Sequence, residues 1–521
     1  MAERGRHGEF DVTIGTDLGN GLYEWNLDAI GGFSIPGRLT LNGQEHRVSD
    51  GVFEFTRFEL RSGVTLRIVG AMAPQFRVRG EAIINGTIDI SGASQPLQLG
   101  FLTTGQAGSR GGPGGGRGGN GAAASNGTTA SNGAHGEDVQ VASTHGYYRT
   151  AEGTGGRGAL QFPTDNNSVT HAYSGVVCVQ VVAGGGGGGY FRTGTAGVAL
   201  RNPGPSPGDL SGPNSGGRAF QLFPLPSNAK SIEHFLAGGS GGGGGGSHIY
   251  SHTVGRTFQW KSGAGGTGGG GAIAVRTGGA LILGDTGKIL ATGGKSYAPY
   301  DNVVQGPPGP NGGGSGGSVL LQSGTSVQAV GVINVSGGPG AHVLPGTGQA
   351  LLDLEAKGGT GAAGFVRAEM PNNPGLGILR QVLPAVEPDM VGDLRDADST
   401  SGFTTRWYST RLIFAPRYVR YEIDAEVNGV PVIFSDDPNL VGSRYAKLGA
   451  GEAISVLFQA GAVNPRDGTL TGEPGPWRNT VGAHQGEAGL SADGFTGYRF
   501  QILFNQGSGV VLRSVKIRFQ S

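Results

Sequence analysis

Cysteine, charge and long apolar runs are all scarce in this chain of 521 residues, and each scarcity excludes a class of protein. Cys178 is the only cysteine, so neither an intrachain disulfide nor a thiolate metal cluster can form. It lies between Val177 and Val179, which predicts a small buried hydrophobic residue rather than a reactive thiol. No stretch reaches the roughly 18 consecutive apolar residues of a membrane-spanning helix, so we expect no membrane insertion.

The charge balance argues against a nucleic-acid partner. Lys and Arg total 38 and Asp and Glu total 38, which makes the chain formally neutral. A neutral chain without a basic stripe lacks the electrostatic footprint of nucleic-acid binding. Charged residues make up only 15% of the sequence, which also argues against ordinary disorder.

Glycine, in contrast, occupies 107 positions and is arranged in an ordered way. Runs at 184–189, 238–246 (broken only by Ser240), 268–271 and 312–317 (broken only by Ser315) alternate with short apolar strand patterns. Two kinds of structure use such runs: a flexible linker, or an array of left-handed threefold chains in which glycine lets neighbouring backbones approach and hydrogen-bond. The alternation with strands favours the array, which is the polyglycine-II arrangement.

The first hundred residues predict β-strands in close succession. Apolar and polar residues alternate between 53 and 90, and glycine punctuates the alternation at short and nearly regular intervals. Such spacing is typical of the successive turns of a β-solenoid, in which each turn buries a few side chains against the next.

A repeat supports this interpretation. Gly-Thr-Ile-Asp-Ile-Ser-Gly at 86–92 recurs as Gly-Lys-Ile-Leu-Ala-Thr-Gly at 287–293 and as Gly-Val-Ile-Asn-Val-Ser-Gly at 331–337. Each of the two later copies follows a second strand bounded by glycine, at 271–278 and 317–324. The two strands and a polyglycine lead-in make a unit of about 45 residues, within the range of solenoid repeats.

After about residue 371 the glycine runs disappear and longer alternating strands follow. The Asn428-Gly429 pair predicts a tight hairpin, and the other strands are separated by turn residues, which together predict an antiparallel β-sandwich. The predicted fold class is therefore all-β. We expect an attachment or capping segment at 1–50, β-solenoid-like turns at 51–104, a glycine-rich repeat region at 105–370 and the β-sandwich at 371–521.

We expect no catalytic activity, no cofactor and no metal site. Glycan cleavage needs paired carboxylates, yet the acidic residues scattered through the solenoid and glycine-rich regions share no repeated position; they include Asp89, Asp165, Asp209, Glu233, Asp285 and Asp301. The Gly-Gly-Lys-Ser sequence at 293–296 has the letters of a phosphate-binding loop, but no helix pattern follows it.

Aromatic and histidine residues flank the glycine runs. They are either packing caps over the array or contacts for a ligand, because aromatic side chains are common anchors of recognition and loops on a rigid scaffold often carry binding. The candidate receptor contacts are Tyr147, Tyr148, Tyr190, Phe191, His248, Tyr250, His252, Trp260, Tyr297 and Tyr300.

The pattern resembles the glycine-rich adhesins at the tips of phage tail fibres, whose polyglycine-II helices present variable loops. The strand pattern at 83–92, 271–293 and 317–337 also resembles glycine-rich β-solenoid surface proteins of environmental bacteria. Together the two resemblances cover about residues 50–370. They imply a surface protein, and no functional residue is transferred through them.

The leading hypothesis is a non-enzymatic virion surface protein, a tail-fibre or receptor-binding component that contacts a host-surface glycan or protein. We expect other virion subunits as partners and a homo-oligomer. The N-terminus carries charge without an apolar segment behind it, so we expect no secretory signal, as fits a protein assembled in the cytoplasm. The alternatives are a bacterial extracellular adhesin or matrix filament and, third, a glycan-degrading tailspike.

Overall fold

The computed structural model describes most of the chain. The described residues are 5–29, 32–36, 46–96, 104–123, 132–139, 172–173, 176–177, 181–190, 192–197, 199–201, 236–251, 258–297, 308–343, 356–371, 375–387, 390–394, 402–412, 414–447, 452–465, 469–472, 474–504 and 509–520.

The chain forms two compact units. The first comprises Met1–Val141, Thr150–Leu222 and Ile232–Gly392, and the second comprises Ala142–Arg149, Phe223–Ser231 and Asp393–Ser521. Almost all regular structure is β, as predicted, and the helical segments among the described residues are short 3-10 turns at Val12–Ile14, Leu376–Ile378 and Leu490–Asp493. No described helix has the length and apolar character needed to cross a membrane.

The strands of the first unit are short. In chain order they are β1 (Thr16–Asp17), β2 (Leu22–Asn26), β3 (Phe33–Ile35), β4 (His46–Val48), β5 (Val52–Phe55), β6 (Phe58–Leu60), β7 (Thr65–Val69), β8 (Gln75–Val78), β9 (Ala82–Ile84), β10 (Thr87–Asp89), β11 (Ala172–Tyr173), β12 (Val176–Val177), β13 (Val181–Ala183), β14 (Ala199–Arg201), β15 (His248–Ser251), β16 (Phe258–Lys261), β17 (Ala272–Thr277), β18 (Leu281–Leu283), β19 (Lys288–Leu290), β20 (Ser318–Ser323), β21 (Val327–Asn334), β22 (His342–Val343), β23 (Ala356–Lys357), β24 (Phe365–Met370), β25 (Leu379–Leu383) and β26 (Val391–Asp393).

A parallel stack of strands forms the centre of this unit. Ten strands build one sheet, in which β7, β10, β19, β21 and β25 follow one another, and six strands build a second sheet with the order β26-β24-β20-β17-β8-β5. Alternate side chains of both sheets point into one hydrophobic core, as the period of two in a strand requires. Successive segments of the chain therefore lie side by side in register within the stack.

The predicted repeat is confirmed. Ile88, Ile289 and Ile333 of the three copies lie opposite one another on β10, β19 and β21, all in parallel register and all buried. The glycine that begins a copy is required by close approach, because a Cβ at Gly331 would lie 2.2 Å from the carbonyl oxygen of Gly287 in the preceding copy.

The N-terminal segment covers the end strand β5. His7 N donates to the carbonyl oxygen of Glu54 at 2.7 Å, and Thr56 N donates to that of Gly8 at 2.7 Å. The side chain of His7 adds to this ladder, since its Nδ1 accepts from the amide of Glu54 at 2.7 Å. Residues 7 and 8 therefore lie beside β5, and the attachment or capping role of 1–50 stays a prediction.

The strands of the second unit are longer. They are β27 (Gly402–Thr404), β28 (Tyr408–Ser409), β29 (Arg417–Val427), β30 (Val430–Phe434), β31 (Ser443–Arg444), β32 (Ile454–Gly461), β33 (Trp477–Arg478), β34 (Gly497–Phe504) and β35 (Val510–Gln520).

Two sheets of the second unit share one core. A five-stranded antiparallel sheet contains β27, β34, β32 and β33 with β28 beside β34, and a four-stranded sheet has the order β31-β30-β29-β35. Tyr421 and Ile423 of the second sheet pack with Phe458 and Ile502 of the first. The predicted hairpin is confirmed, because Asn428 (φ 53°) and Gly429 (φ 80°) form the turn between β29 and β30.

Two predicted boundaries differ from the observed ones. Residues 371–392 belong to the first unit, because β25 pairs in parallel with β21 and so extends the stack. The stack also continues beyond 51–104, since strands from 272–383 complete it. The glycine-rich segments are therefore insertions between strands of a single stack, and strand propensity alone could not reveal that connection.

Candidate recognition surface at the glycine-arm ends

Extended glycine-rich segments, which we call glycine arms, run out from the stack and back to it. Outgoing arms follow β10, β19 and β21 directly, and returning arms lead directly into β17, β20 and β24. Because β10, β19 and β21 are parallel and in register, their arms leave at the same end of the sheet. The described arms are 90–96, 104–112, 115–123, 132–139, 184–189, 192–197, 236–247, 262–271, 291–297, 308–317, 335–341 and 358–364.

The arm at 236–247 shows how the array is held together. Its amides bond to different neighbouring arms in rotation, with a period of three residues. Gly239, Gly242 and Gly245 donate to carbonyl oxygens of arm 262–271, at 2.7, 2.9 and 2.8 Å. Gly241 and Gly244 donate to arm 132–139, at 3.2 and 3.0 Å. This rotation satisfies buried backbone groups of the arm without a sheet.

The arms approach too closely for side chains on the facing positions. A Cβ at Gly242 would lie 2.2 Å from the carbonyl oxygen of Gly312, and one at Gly245 would lie 2.1 Å from that of Gly309. Both contacts are with backbone, which cannot rotate away. Glycine is therefore required at these positions by packing, which explains why the runs contain so few other residues.

Four polar residues within the arms link neighbouring arms by hydrogen bonds, and their sequence pattern did not predict this role. Ser240, Thr267, Asn311 and Ser315 are fully buried. Thr267 Oγ1 donates to Gly294 O at 2.6 Å and accepts from Gly314 N at 2.7 Å, so one hydroxyl links two further arms. Asn311 Nδ2 donates to Gly265 O at 2.6 Å, and Ser240 N donates to Ser315 Oγ at 2.8 Å. The only sequence signal was that they interrupt otherwise apolar or glycine-only stretches.

The far ends of the arms carry paired strands. Three two-stranded hairpins lie there: β13 with β14, β15 with β16, and β22 with β23. The hairpins are neighbours, because β13 lies against both β15 and β23. They form one cluster, which we call the hairpin cluster, at the end of the arms away from the strand stack.

Two predicted contact residues are packing residues instead. Tyr190 is 1% exposed and its hydroxyl donates to Ala237 O at 2.9 Å, while Tyr297 is 7% exposed and its hydroxyl donates to Pro308 O at 3.1 Å. Burial raises the pKa of both hydroxyls above the ordinary value of 10.0, so both remain protonated donors. The prediction of receptor contact is therefore wrong for these two rings, because arms from distant parts of the sequence cover them.

Three other candidates belong to the hairpin cluster. The register of β15 and β16 places His248 opposite Lys261, Ile249 opposite Trp260, and Tyr250 opposite Gln259. The structure thus brings His248, Tyr250 and Trp260 into one hairpin, and their role in contact stays a prediction. Tyr147, Tyr148, Phe191, His252 and Tyr300 lie outside the described residues, as does Cys178.

Two of the acidic candidates, Asp89 and Asp285, have local structural partners. Asp89 accepts from Ser91 N at 3.0 Å, and Asp285 accepts from Thr286 N at 2.9 Å, so both cap turns. Asp165, Asp209, Glu233 and Asp301 lie outside the described residues. Within the described ranges no group of three His, Cys, Asp or Glu side chains is arranged to hold a metal ion.

Comparisons with protein-family models, with curated proteins and with solved structures find no match for this chain.

Proposed function

We propose that this chain is a non-enzymatic attachment protein of a virion surface, a tail-fibre or receptor-binding component. The observation that carries the proposal is the gathering of three hairpins at one end of a hydrogen-bonded array of arms. Loops and hairpins on a rigid support are the usual carriers of binding. The proposed receptor is a glycan or protein on the host surface.

The proposed architecture has three parts. The parallel stack is a β-solenoid, supported by the register of successive strands and by their common core. The arms are a polyglycine-II array, supported by the three-residue rotation of their hydrogen bonds. The second unit is an antiparallel β-sandwich, supported by its two sheets around one core.

Rigidity is the reason for building a display surface from glycine. Arm 236–247 is anchored to its neighbours by backbone bonds on several sides, so the hairpin β15–β16 that follows it starts from a fixed point. A contact surface ordered before binding loses less conformational entropy on binding than a flexible one does. The large conformational entropy of the glycine residues is therefore lost when the protein folds and not when it binds the receptor.

The test is an attachment assay with two matched variants. We expect His248→Ala/Tyr250→Ala/Trp260→Ala to abolish attachment of the labelled protein to susceptible cells. We expect Phe403→Ala/Phe414→Ala, which removes exposed rings of the second unit, to leave attachment intact. Circular dichroism should show that both variants keep the wild-type fold.

The opposite result would locate the adhesive surface in the second unit and make the arms a support only. Sedimentation of the purified protein would test the proposed homo-oligomer. Incubation with host polysaccharide would test the non-enzymatic part, since release of oligosaccharides would contradict it.

A further inference from the structure

The edge strand β35 of the second unit has features of a docking edge. It is eleven residues long and ends the four-stranded sheet, and among the described residues it pairs with β29 alone. An unpaired strand edge offers a row of backbone donors and acceptors to another extended segment.

The core beside β35 is incompletely covered. On β29 the inward side chains of Tyr421, Ile423 and Ala425 are fully buried. Their counterparts on β35, which include Leu512 and Ile517, are only partly buried against the same core. Phe519, opposite the buried Tyr418, is 38% exposed. A further strand beside β35 would cover this apolar surface, which favours its binding.

The outward face of β35 combines basic residues with Val511, which is 58% exposed. The strand carries Arg513, Lys516 and Arg518 and no acidic residue. The neighbouring strand β29 supplies acidic partners to two of these cations. Arg513 pairs with Glu426 at 2.9 Å, and Arg518 pairs with Glu422 at 3.1 Å. On β29, acidic residues alternate with apolar ones, in the sequence Glu-Ile-Asp-Ala-Glu-Val at 422–427.

A second copy of β35 is a poor occupant of this edge. Antiparallel pairing of two β35 strands that puts both Val515 and Ile517 opposite core-side residues has three registers. Two of them place Lys516 opposite Lys516 or opposite Arg518, and like charges directly opposite one another are destabilising. The third places Lys516 opposite Val511 but leaves Phe519 beyond the paired residues, so no register both covers Phe519 and avoids opposed cations.

We infer that β35 binds an extended strand of another protein, in which acidic and apolar residues alternate. The apolar residues of that strand would complete the core beside Leu512 and Ile517. Its acidic residues would lie opposite Lys516 and Arg518 on the free side of β35. On the other side, Glu422 of β29 lies opposite Lys516 and pairs diagonally with Arg518, which itself lies opposite Arg420. This inference concerns assembly through the second unit and is independent of receptor binding by the hairpin cluster.

The probe is a peptide with the sequence of residues 421–427, Tyr-Glu-Ile-Asp-Ala-Glu-Val, added to the full-length protein. We expect saturable binding by calorimetry and slower amide exchange within 510–520. We expect Lys516→Glu/Arg518→Glu to weaken binding at least about tenfold, because two cross-strand charge pairs become repulsive. Lys288→Glu, an exposed charge reversal on β19 of the first unit, is the control and should leave binding unchanged.

A second peptide has Lys in place of each acidic residue. It distinguishes a change in charge recognition from unfolding of the Lys516→Glu/Arg518→Glu variant. We expect it to bind the Lys516→Glu/Arg518→Glu variant more tightly than the wild type. The inference is overturned if the acidic peptide does not protect 510–520, or if the variant binds it as the wild type does. Concentration-dependent protection of 510–520 without peptide would also overturn it, because a second copy would then be the occupant.

Discussion

Gly266 shows at the scale of one residue why the arms tolerate no side chain on their inner positions. A Cβ there would lie 2.0 Å from the carbonyl oxygen of Gly242 and 3.0 Å from the amide nitrogen of Gly119, on two different arms. We expect Gly266→Ala to lower the free energy of unfolding by about 1–3 kcal/mol, because both arms must move apart. Urea unfolding of the first unit measures the change.

Gly377 provides the matched control for this substitution. Nothing lies within 4 Å of a Cβ built there, and its φ is not in the left-handed region. We expect Gly377→Ala to change the free energy of unfolding by less than about 0.5 kcal/mol. Equal effects of the two substitutions would show that close approach of the arms is not what requires glycine at 266.

His7 links the stability of the N-terminal cap to pH. Burial, with smaller contributions from Arg6 and His46, lowers the pKa of His7 from its ordinary value of 6.5 to about 4, although Glu54 opposes the shift. The neutral imidazole is therefore favoured in the folded protein, where Nδ1 accepts from the amide of Glu54. Its stabilising contribution is complete above pH 6.5 and is lost as the pH falls from 6.5 toward 4.

The expected size of this loss is about 3 kcal/mol at most. Many carboxyl groups also titrate in this range, so the measurement compares two proteins rather than two pH values alone. His7→Asn keeps an acceptor near the Glu54 amide but does not titrate. We expect the wild type to lose more stability than His7→Asn between pH 7 and pH 4, and parallel pH profiles would contradict the assignment.

At the scale of the elements, the hydrogen bonds of arm 236–247 predict unusual protection for a glycine run. Every amide from Gly238 to Gly245 donates to another arm, or to the turn at Gly114. We expect amide exchange there as slow as in the central strand β20, because opening requires neighbouring arms to separate. Exchange at Val441, a 95% exposed residue, should be fast and calibrates the measurement. Fast exchange throughout 238–245 would indicate a flexible tether.

The sequence was most informative where the structure repeats itself locally. The motif beginning at Gly86, Gly287 and Gly331 predicted neighbouring segments, and the copies do pair in register. The turn at Asn428-Gly429 was also predictable, since the positive φ values of a tight hairpin favour those two residues.

Long-range contacts account for what the sequence could not reveal. Tyr190 and Tyr297 flank glycine runs and so resembled exposed rings, yet Tyr190 bonds to Ala237 across the array and is buried. Similarly, nothing local distinguishes β25 from the strands of the second unit, and only its pairing with β21 assigns it to the stack. Glycine arms have no side-chain pattern that would encode which arm lies beside which.

At the scale of the whole molecule, the two units have separate hydrophobic cores. The core of the first includes Ile88, Ile289 and Ile333, and that of the second includes Phe458 and Ile502. Since each core contains residues of one unit only, we expect calorimetry of the full-length protein to resolve two unfolding transitions rather than a single cooperative one.

Core substitutions assign the transitions. Both Ile289 and Phe458 are fully buried, so replacement by alanine should cost about 2–5 kcal/mol in the unit that contains the residue. We expect Ile289→Ala to lower the midpoint of one transition and Phe458→Ala to lower that of the other, with little effect across units. If each substitution instead shifts both transitions equally, the two cores unfold together. Loss of either unit would then impair both the hairpin cluster and the β35 edge, and the tests of those two surfaces would no longer be independent.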